Sequence, residues 1–176
     1  MTASSASFVA AIPQDAPAVE VEAPRHAAAV EALVDRAFGP GRFAKSSERL
    51  REGNRKLDDC SFVALRGDAV IGSVRLWPVT IGGKPVAFLG PLAVDATQRS
   101  AGLGQALVET ACAAAAKAGW EAVLLVGDAP YFARIGFSAA PAAKVVMPGP
   151  ADQRRVLLKA LVPGGDEGFE GRVAVA

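Results

Sequence analysis

The sequence predicts an α/β fold with a mixed sheet, an antiparallel meander followed by a βαβ unit, on three observations. Residues 60–65, 69–80 and a run ending at Val94 are apolar, β-type stretches joined by the turns Arg66-Gly67-Asp68 and Ile81-Gly82-Gly83-Lys84, the spacing of a meander. Gly102-Leu103-Gly104 opens an alanine-rich stretch whose apolar positions Leu103, Leu107, Ala111, Ala114, Ala115 and Ala118 share one helical face. That stretch links the strand-like runs 87–94 and 122–126, so the simplest arrangement is a right-handed crossover with the two strands parallel. A chain of 176 residues, 51% hydrophobic, is long enough for one domain with a sizeable core and short for two.

Taken in order, residues 1–16 are rich in Ala, Ser and Pro without periodicity and read as a flexible N-terminal arm. Residues 17–162 form the domain. Residues 18–23 alternate as a first strand. Pro24 suits the first turn of a helix carrying Val30, Leu33, Val34, Ala37 and Phe38 at helical spacing, and Gly39-Pro40-Gly41 stops it. The single histidine, His26, at the start of that helix reads as a surface residue. Arg42, Lys45, Arg49, Arg51, Arg55 and Lys56 stand against Glu48 and Glu52 on an expected second short helix. Such a run is either a patch for an acidic acceptor or ligand phosphates, or a solvated helix face, and the solvated face is the expectation. After the meander, Lys117 and Gly119 supply the end of the alanine-rich helix. A short aromatic segment then closes on Gly136-Phe137. Residues 143–147 and 155–161 are expected to add one hairpin, and residues 163–176 a peripheral, Gly-rich tail.

Charge and composition exclude several classes. The 19 basic and 18 acidic side chains leave a formal net charge of +1, so no global field draws in nucleic acid or a membrane surface. No apolar run approaches the roughly 20 residues that cross a bilayer, and the first residues lack the basic region of a secretory signal; a cytoplasmic setting is expected. Cys60 and Cys112 lack metal-type spacing and read as small buried apolar residues.

The glycine-rich turn before the long helix is the main chemical signal. Backbone N–H groups at a helix start lack intrahelical partners and sit at the positive end of the dipole, which suits an anion. A Walker-type loop needs Gly-Lys-Ser/Thr, whereas Gln105-Ala106 follows Gly104. A dinucleotide fingerprint would put Leu107 at its third small position and the unit early in a repeated βαβ chain. A plain tight turn is the alternative.

Arg99-Ser100-Ala101-Gly102-Leu103-Gly104 resembles the R/Q-x-x-G-x-G/A acyl-CoA pyrophosphate loop of the GNAT N-acetyltransferase superfamily, and Tyr131-Phe132-Ala133-Arg134-Ile135-Gly136-Phe137 is similar to its closing Y-x-x-x-G-F signature. The stretches REGN, VRLWPV, GPLAVD and LLVGD resemble a bacterial subgroup of N-acetyltransferases. The resemblance implies a GNAT-like acyl-CoA N-acyltransferase fold over residues 17–162 and acetyl-CoA (coenzyme A) as cofactor. It puts the pyrophosphate on the backbone of Ser100, Ala101, Gly102, Leu103, Gly104 and Gln105, with Arg99 adding charge, and the pantetheine arm on the edge of Leu92, Ala93 and Val94. Gly90-Pro91 marks either the bulge that opens that edge or an ordinary strand start.

The implied reaction is direct attack of a neutral amine on the thioester, with a backbone N–H near Leu92 facing the tetrahedral oxyanion. The acceptor is a small-molecule amine or a peptide amine, and homodimerisation is common in the family. The strand from Pro85 to Val94 carries no acid; Asp58, Asp59, Glu48 and Glu52 are base candidates by location only. Four residues before Gly136, where the family has the tyrosine that protonates the departing thiolate, stands Phe132, which is carried as a cofactor-binding position. The adjacent Tyr131 is the catalytic candidate, either reaching the sulfur or packing elsewhere. Asp128 caps the short helix or touches the cofactor. Two functions follow: an acetyl-CoA-dependent N-acetyltransferase, or a catalytically weak acyl-CoA-binding sensor or scaffold module.

Overall fold

The computed structural model describes residues 16–99 and 101–176; residues 1–15 of the expected arm and Ser100 of the expected loop lie outside the described residues. Strand β1 (Ala18–Val21) is followed by a 3-10 turn and helix α1 (Ala27–Phe38), whose Val30, Leu33 and Val34 are buried. Gly39 ends this helix with φ 64°, a conformation glycine adopts without a Cβ penalty. Strands β2 (Phe62–Arg66), β3 (Ala69–Ile81) and β4 (Lys84–Val94) form the predicted meander. Helix α2 (Leu103–Lys117), strand β5 (Ala122–Val126) and the short helix α3 (Ala129–Ala133) follow. Strands β6 (Val145–Val146), β7 (Val156–Ala160) and β8 (Gly171–Val175) complete the chain.

The sheet runs β1-β2-β3-β4-β5-β7, with β4 and β5 parallel as expected for the crossover. Alternate residues of the strands serve opposite faces. Ala87, Leu89, Val123 and Leu125 pack beneath Leu107, Val108, Ala111, Cys112 and Ala115 of α2. Val86, Phe88, Ala122 and Leu124 join a second cluster with Leu50, Met147 and Phe169. Helix α1 covers Val63 and Ala93 on its own cluster. Two-sided burial explains why the runs leading into Val94 and Val126 are continuously apolar rather than alternating. Along α2, Val108 and Cys112 join the buried face, whereas Ala118 sits at the helix end and is exposed.

Four expectations are corrected. His26 is buried, not superficial: its Nδ1 accepts from the Ala23 N–H at 3.1 Å and its Nε2 lies 3.3 Å from Glu20 Oε1. Residues 42–56 form no α-helix but 3-10 turns at Pro40–Ala44 and Glu48–Leu50, because Gly41, Ser46, Ser47 and Gly53 interrupt any run long enough to repay nucleation. Residues 145–146 and 156–160 do not pair with each other. β7 lies antiparallel on β5 over five residue pairs and closes that edge, while β6 lies parallel on β8. The segment after Pro163 is structural rather than peripheral. β3 outruns β2, and β8 pairs with the remaining edge at Val79, Thr80 and Ile81, burying Phe169 and Val173.

Candidate active site

The site is built where β4 leaves β5. Opposite the β3 segment from Val74 to Leu76, β4 carries one extra residue, and the cis bond Gly90-Pro91 lies within that bulge. Gly90 has φ 142°, and the indole Nε1 of Trp77 donates to its carbonyl at 2.5 Å. Of the two readings of Gly90-Pro91, the structure selects the bulge. The parallel ladder holds only at Ala87 with Val123 and Phe88 with Leu124; among the described residues β4 pairs with β5 nowhere beyond the bulge. The strands therefore splay, and two cavities meet at the gap.

The first cavity, about 410 Å³, lies over the start of α2. Its walls include Leu92, Ala93 and Val94 of the free edge, Arg99, the turn from Gly102 to Gln105, and Tyr131. Gly102 precedes the helix at φ 74° and no side chain caps it. The first intrahelical bond runs from the Ala106 N–H to the Gly102 carbonyl at 3.0 Å, so the N–H groups of Leu103, Gly104 and Gln105, without a partner among the described residues, are open to an anion. Asp95 shapes the approach, accepting from the Thr97 N–H at 3.0 Å and the Thr97 hydroxyl at 2.7 Å; these bonds hold its carboxyl below the usual range. At Gly104 a Cβ would lie 2.8 Å from the Tyr131 hydroxyl and 3.6 Å from Val94. The backbone there is bare because the phenol occupies the space. Nine of the expected residues thus share one wall system; Ala101 is exposed beside it.

The second cavity, about 500 Å³, lies on the other side of Leu92 and Tyr131 and reaches Phe88, Val126 and Arg155. Phe132 belongs to this side. It is buried, packs edge-to-face against Tyr131 at 4.9 Å and Phe137 at 5.7 Å, and would collide with any Cβ at Gly127. Tyr131 instead borders both cavities with its side chain half exposed to them. Burial pushes its phenol above the ordinary value, Arg134 opposing weakly, so the group is an O–H donor at neutral pH. Asp128 accepts from the Tyr131 N–H at 3.0 Å and is the N-cap of α3.

Several wall residues of the larger cavity escaped sequence reasoning. Phe38, Arg42, Lys45 and Arg51 line it. The basic run was the available signal, but helical periodicity could not say that two of its guanidinium groups turn inward, with 11% and 13% of the Arg42 and Arg51 side chains exposed. Of the four acid candidates, Glu48 is paired with Arg51 at 3.0 Å, and Asp58 with Lys56 at 2.7 Å and Arg55 at 3.3 Å; none of the four lines either cavity. Both cysteines are free and buried, as expected, and burial pushes the Cys112 thiol up to about 11. Among the described residues there is no cluster suited to a metal ion, and no helix long and apolar enough to cross a membrane.

Known proteins resemble this chain in sequence and fold. The uncharacterized N-acetyltransferase YhbS of Escherichia coli strain K12 is 34% identical over 125 residues, covering 69% of this chain and 74% of that protein. The crystal structure of YhbS, a GNAT family N-acetyltransferase from Escherichia coli in complex with CoA, superposes with a TM-score of 0.80 at 28% identity, covering 94% of this chain and 92% of that one. A GNAT family acetyltransferase from Brucella melitensis in complex with acetyl-CoA shares the fold with a TM-score of 0.68 at 23% identity, covering 92% and 97%. The profile of the acetyltransferase (GNAT) family matches residues 27–137, which carry the meander, the splayed strands, the glycine turn and the aromatic closing segment. With that match over the elements that form the two cavities, the chain belongs to the acetyltransferase (GNAT) family.

Proposed function

We propose that the protein transfers an acetyl group from acetyl-CoA to an amine by direct attack of the neutral amine on the thioester. One observation carries the reading: Leu92 and Tyr131 wall both cavities, so a ligand along the β4 edge and an amine from the larger cavity meet at the same residues. The residues of the smaller cavity fit CoA. Free N–H groups of the α2 turn with Arg99 match a pyrophosphate, and the edge of Leu92, Ala93 and Val94 matches an amide-bearing arm. Support also comes from YhbS and the Brucella melitensis protein, whose structures hold CoA and acetyl-CoA. Bound acetyl-CoA supplies the activated acyl group, so the protein's own work is positioning and proton handling.

A backbone N–H near Leu92 is assigned to the acyl oxygen as charge develops there. Tyr131 is assigned as the acid that protonates the departing sulfur, in place of Phe132, whose ring is a packing element without a proton to give. None of Glu48, Glu52, Asp58 and Asp59 lines either cavity, and the acids that do line the larger one are tied, Asp128 to the Tyr131 N–H and Asp152 to Arg154, so the amine proton is assigned to water rather than to a carboxylate. The free, buried cysteines suit a reducing, cytoplasmic setting.

The test is calorimetric titration of acetyl-CoA into the wild type and Gly102→Asp. A Cβ at 102 meets nothing within 4 Å, and Asp tolerates the left-handed conformation better than most residues. The carboxylate nevertheless points negative charge at the anion site. Binding that falls by at least about tenfold in a variant with an unchanged circular dichroism spectrum is expected. Equal affinity in both proteins, or no binding to the wild type, overturns the assignment.

A further inference from the structure

The larger cavity contains a buried cation with donors to spare. The Arg51 guanidinium offers five N–H donors, and among the described residues its only hydrogen bond is Nη1 to Glu48 at 3.0 Å. Its Nε is buried without any partner. The guanidinium lies against the bulge of β4: a Cβ at Gly90 would stand 2.9 Å from Arg51 Nη2, and the Phe88 ring is 5.8 Å from its carbon. A buried, under-satisfied guanidinium is costly, and such groups occur where a partner is to be received.

The surrounding charges point the same way. Lys45 stands in the cavity wall with no ion pair among the described residues, its Nζ 5.4 Å from the centre of the Phe38 ring. The Arg155 Nε donates to the Gly127 carbonyl at 3.2 Å, and among the described residues its guanidinium has no carboxylate partner. Of the two acids in this wall, Asp152 is held by Arg154 at 2.9 Å, and Asp128 accepts from the Tyr131 N–H as the cap of α3 but keeps its charge. Among the described residues the wall's charges outside ion pairs are Lys45 and Arg155 against Asp128, a balance that is positive. The phosphates of a bound nucleotide would not neutralise it, because the anion-binding turn opens into the other cavity, beyond Leu92 and Tyr131.

Resting on the acetyl-transfer reading above, we infer that the acceptor is an amine that also carries a carboxylate, of amino-acid size, with the carboxylate received by Arg51 and Lys45 and the amine directed to Tyr131 and Leu92. A guanidinium pairs with a carboxylate in two parallel hydrogen bonds, and this fixes the position of the amine as well as the affinity. Polycationic acceptors are repelled by the same wall.

The test uses matched pairs: the twenty free L-amino acids with β-alanine and 4-aminobutyrate, each beside its C-terminal amide, and O-phosphoethanolamine as the phosphate-bearing amine. Binding to the CoA-saturated protein is read by calorimetry, and transfer from acetyl-CoA by thiol release. At least one free acid is expected to bind, and to be acetylated with kcat/KM at least about tenfold above its amide, as for the loss of a charge-assisted pair. In Arg51→Gln and in Lys45→Gln the acid-to-amide ratio is expected to fall toward one, mainly through KM. Lys45 is exposed, so its variant keeps the test valid if Arg51→Gln does not fold. Amides served as well as acids, a ratio unchanged in the folded variants, no response to any free acid, or preference for O-phosphoethanolamine overturns the inference. Acids that bind without being acetylated uphold it and overturn the transfer reading instead.

Discussion

At the scale of single residues, the proposed chemistry turns on the neighbours Tyr131 and Phe132. One helical step rotates a side chain by roughly 100°, which here separates a phenol bordering both cavities from a ring in the core. On the proposed assignment, loss of the Tyr131 hydroxyl removes only the proton for the departing sulfur. A thiol of pKa about 8.5 leaves unprotonated at pH 7 for about 2 kcal/mol, so Tyr131→Phe is expected to lower kcat by no more than about thirtyfold. The deficit should shrink as the pH is raised toward 9, where the thiolate needs no proton. Steady-state kcat from pH 6.5 to 9, beside acetyl-CoA titration to show that binding persists, checks this. A deficit independent of pH would make Tyr131 a positioning residue. The second residue-scale lesson is Arg51: its place in the sequence looks like surface, and its 13% side-chain exposure makes it part of the cavity.

At the scale of elements, β8 decides more than its position near the chain end suggests. It covers the part of β3 that β2 leaves unpaired and brings Phe169, 3% exposed, into the cluster with Phe88 and Leu124. Phe169→Ala is expected to cost about 3 kcal/mol or more, since a large ring is removed and a cavity left. Val175→Ala, on β8 itself but 41% exposed, is expected to stay within about 0.5 kcal/mol of the wild type. Urea denaturation with both variants compares them directly, and equal midpoints would return the segment to a peripheral role. The bulge in β4 is the other decisive element. It turns Leu92, Ala93 and Val94 away from β5, and without that turn the parallel ladder would run on and close the gap.

At the scale of the whole molecule, a charged cluster ties the N-terminal elements to the sheet. Arg75 on β3 is gripped by Glu22 through Nε at 2.8 Å and Nη2 at 2.7 Å, and Nη1 donates to Glu31 of α1. Arg42 adds a bond to Glu31 at 3.1 Å and one to Asp35 at 3.0 Å. Burial alone would raise the Glu31 pKa, but the hydrogen bonds and charges of Arg75 and Arg42 outweigh it and hold the carboxyl below its ordinary 4.5. A carboxyl lowered in the folded state stabilises above its unfolded pKa, and that contribution disappears as the pH falls through the folded value. The melting temperature of the wild type should therefore drop below about pH 4.5 more steeply than that of Glu31→Gln, which has no such proton to take up. Melting curves from pH 6 to 3 read the difference. Parallel curves would mean that solvent at the half-exposed Glu31 screens the pair completely.

The sequence by itself determined the local elements and the order of the chain. Helix α1, the meander, α2 and β5 are written in periodicities and turn residues that act over a few positions, and the glycine turn with its aromatic partner motif carried the family. What only the tertiary structure decided are contacts between distant segments. Whether β7 pairs with β6 or with β5, whether the last strand covers β3, and whether His26, Arg42 and Arg51 face water or the interior depend on which edges and surfaces other elements leave open. A sequence window does not contain that information. The smaller cavity was legible because backbone groups on consecutive residues make most of it. The larger one was not, because its walls come from α1, the turns after it, β4, β5, α3 and the approach to β7, and only folding brings those segments together.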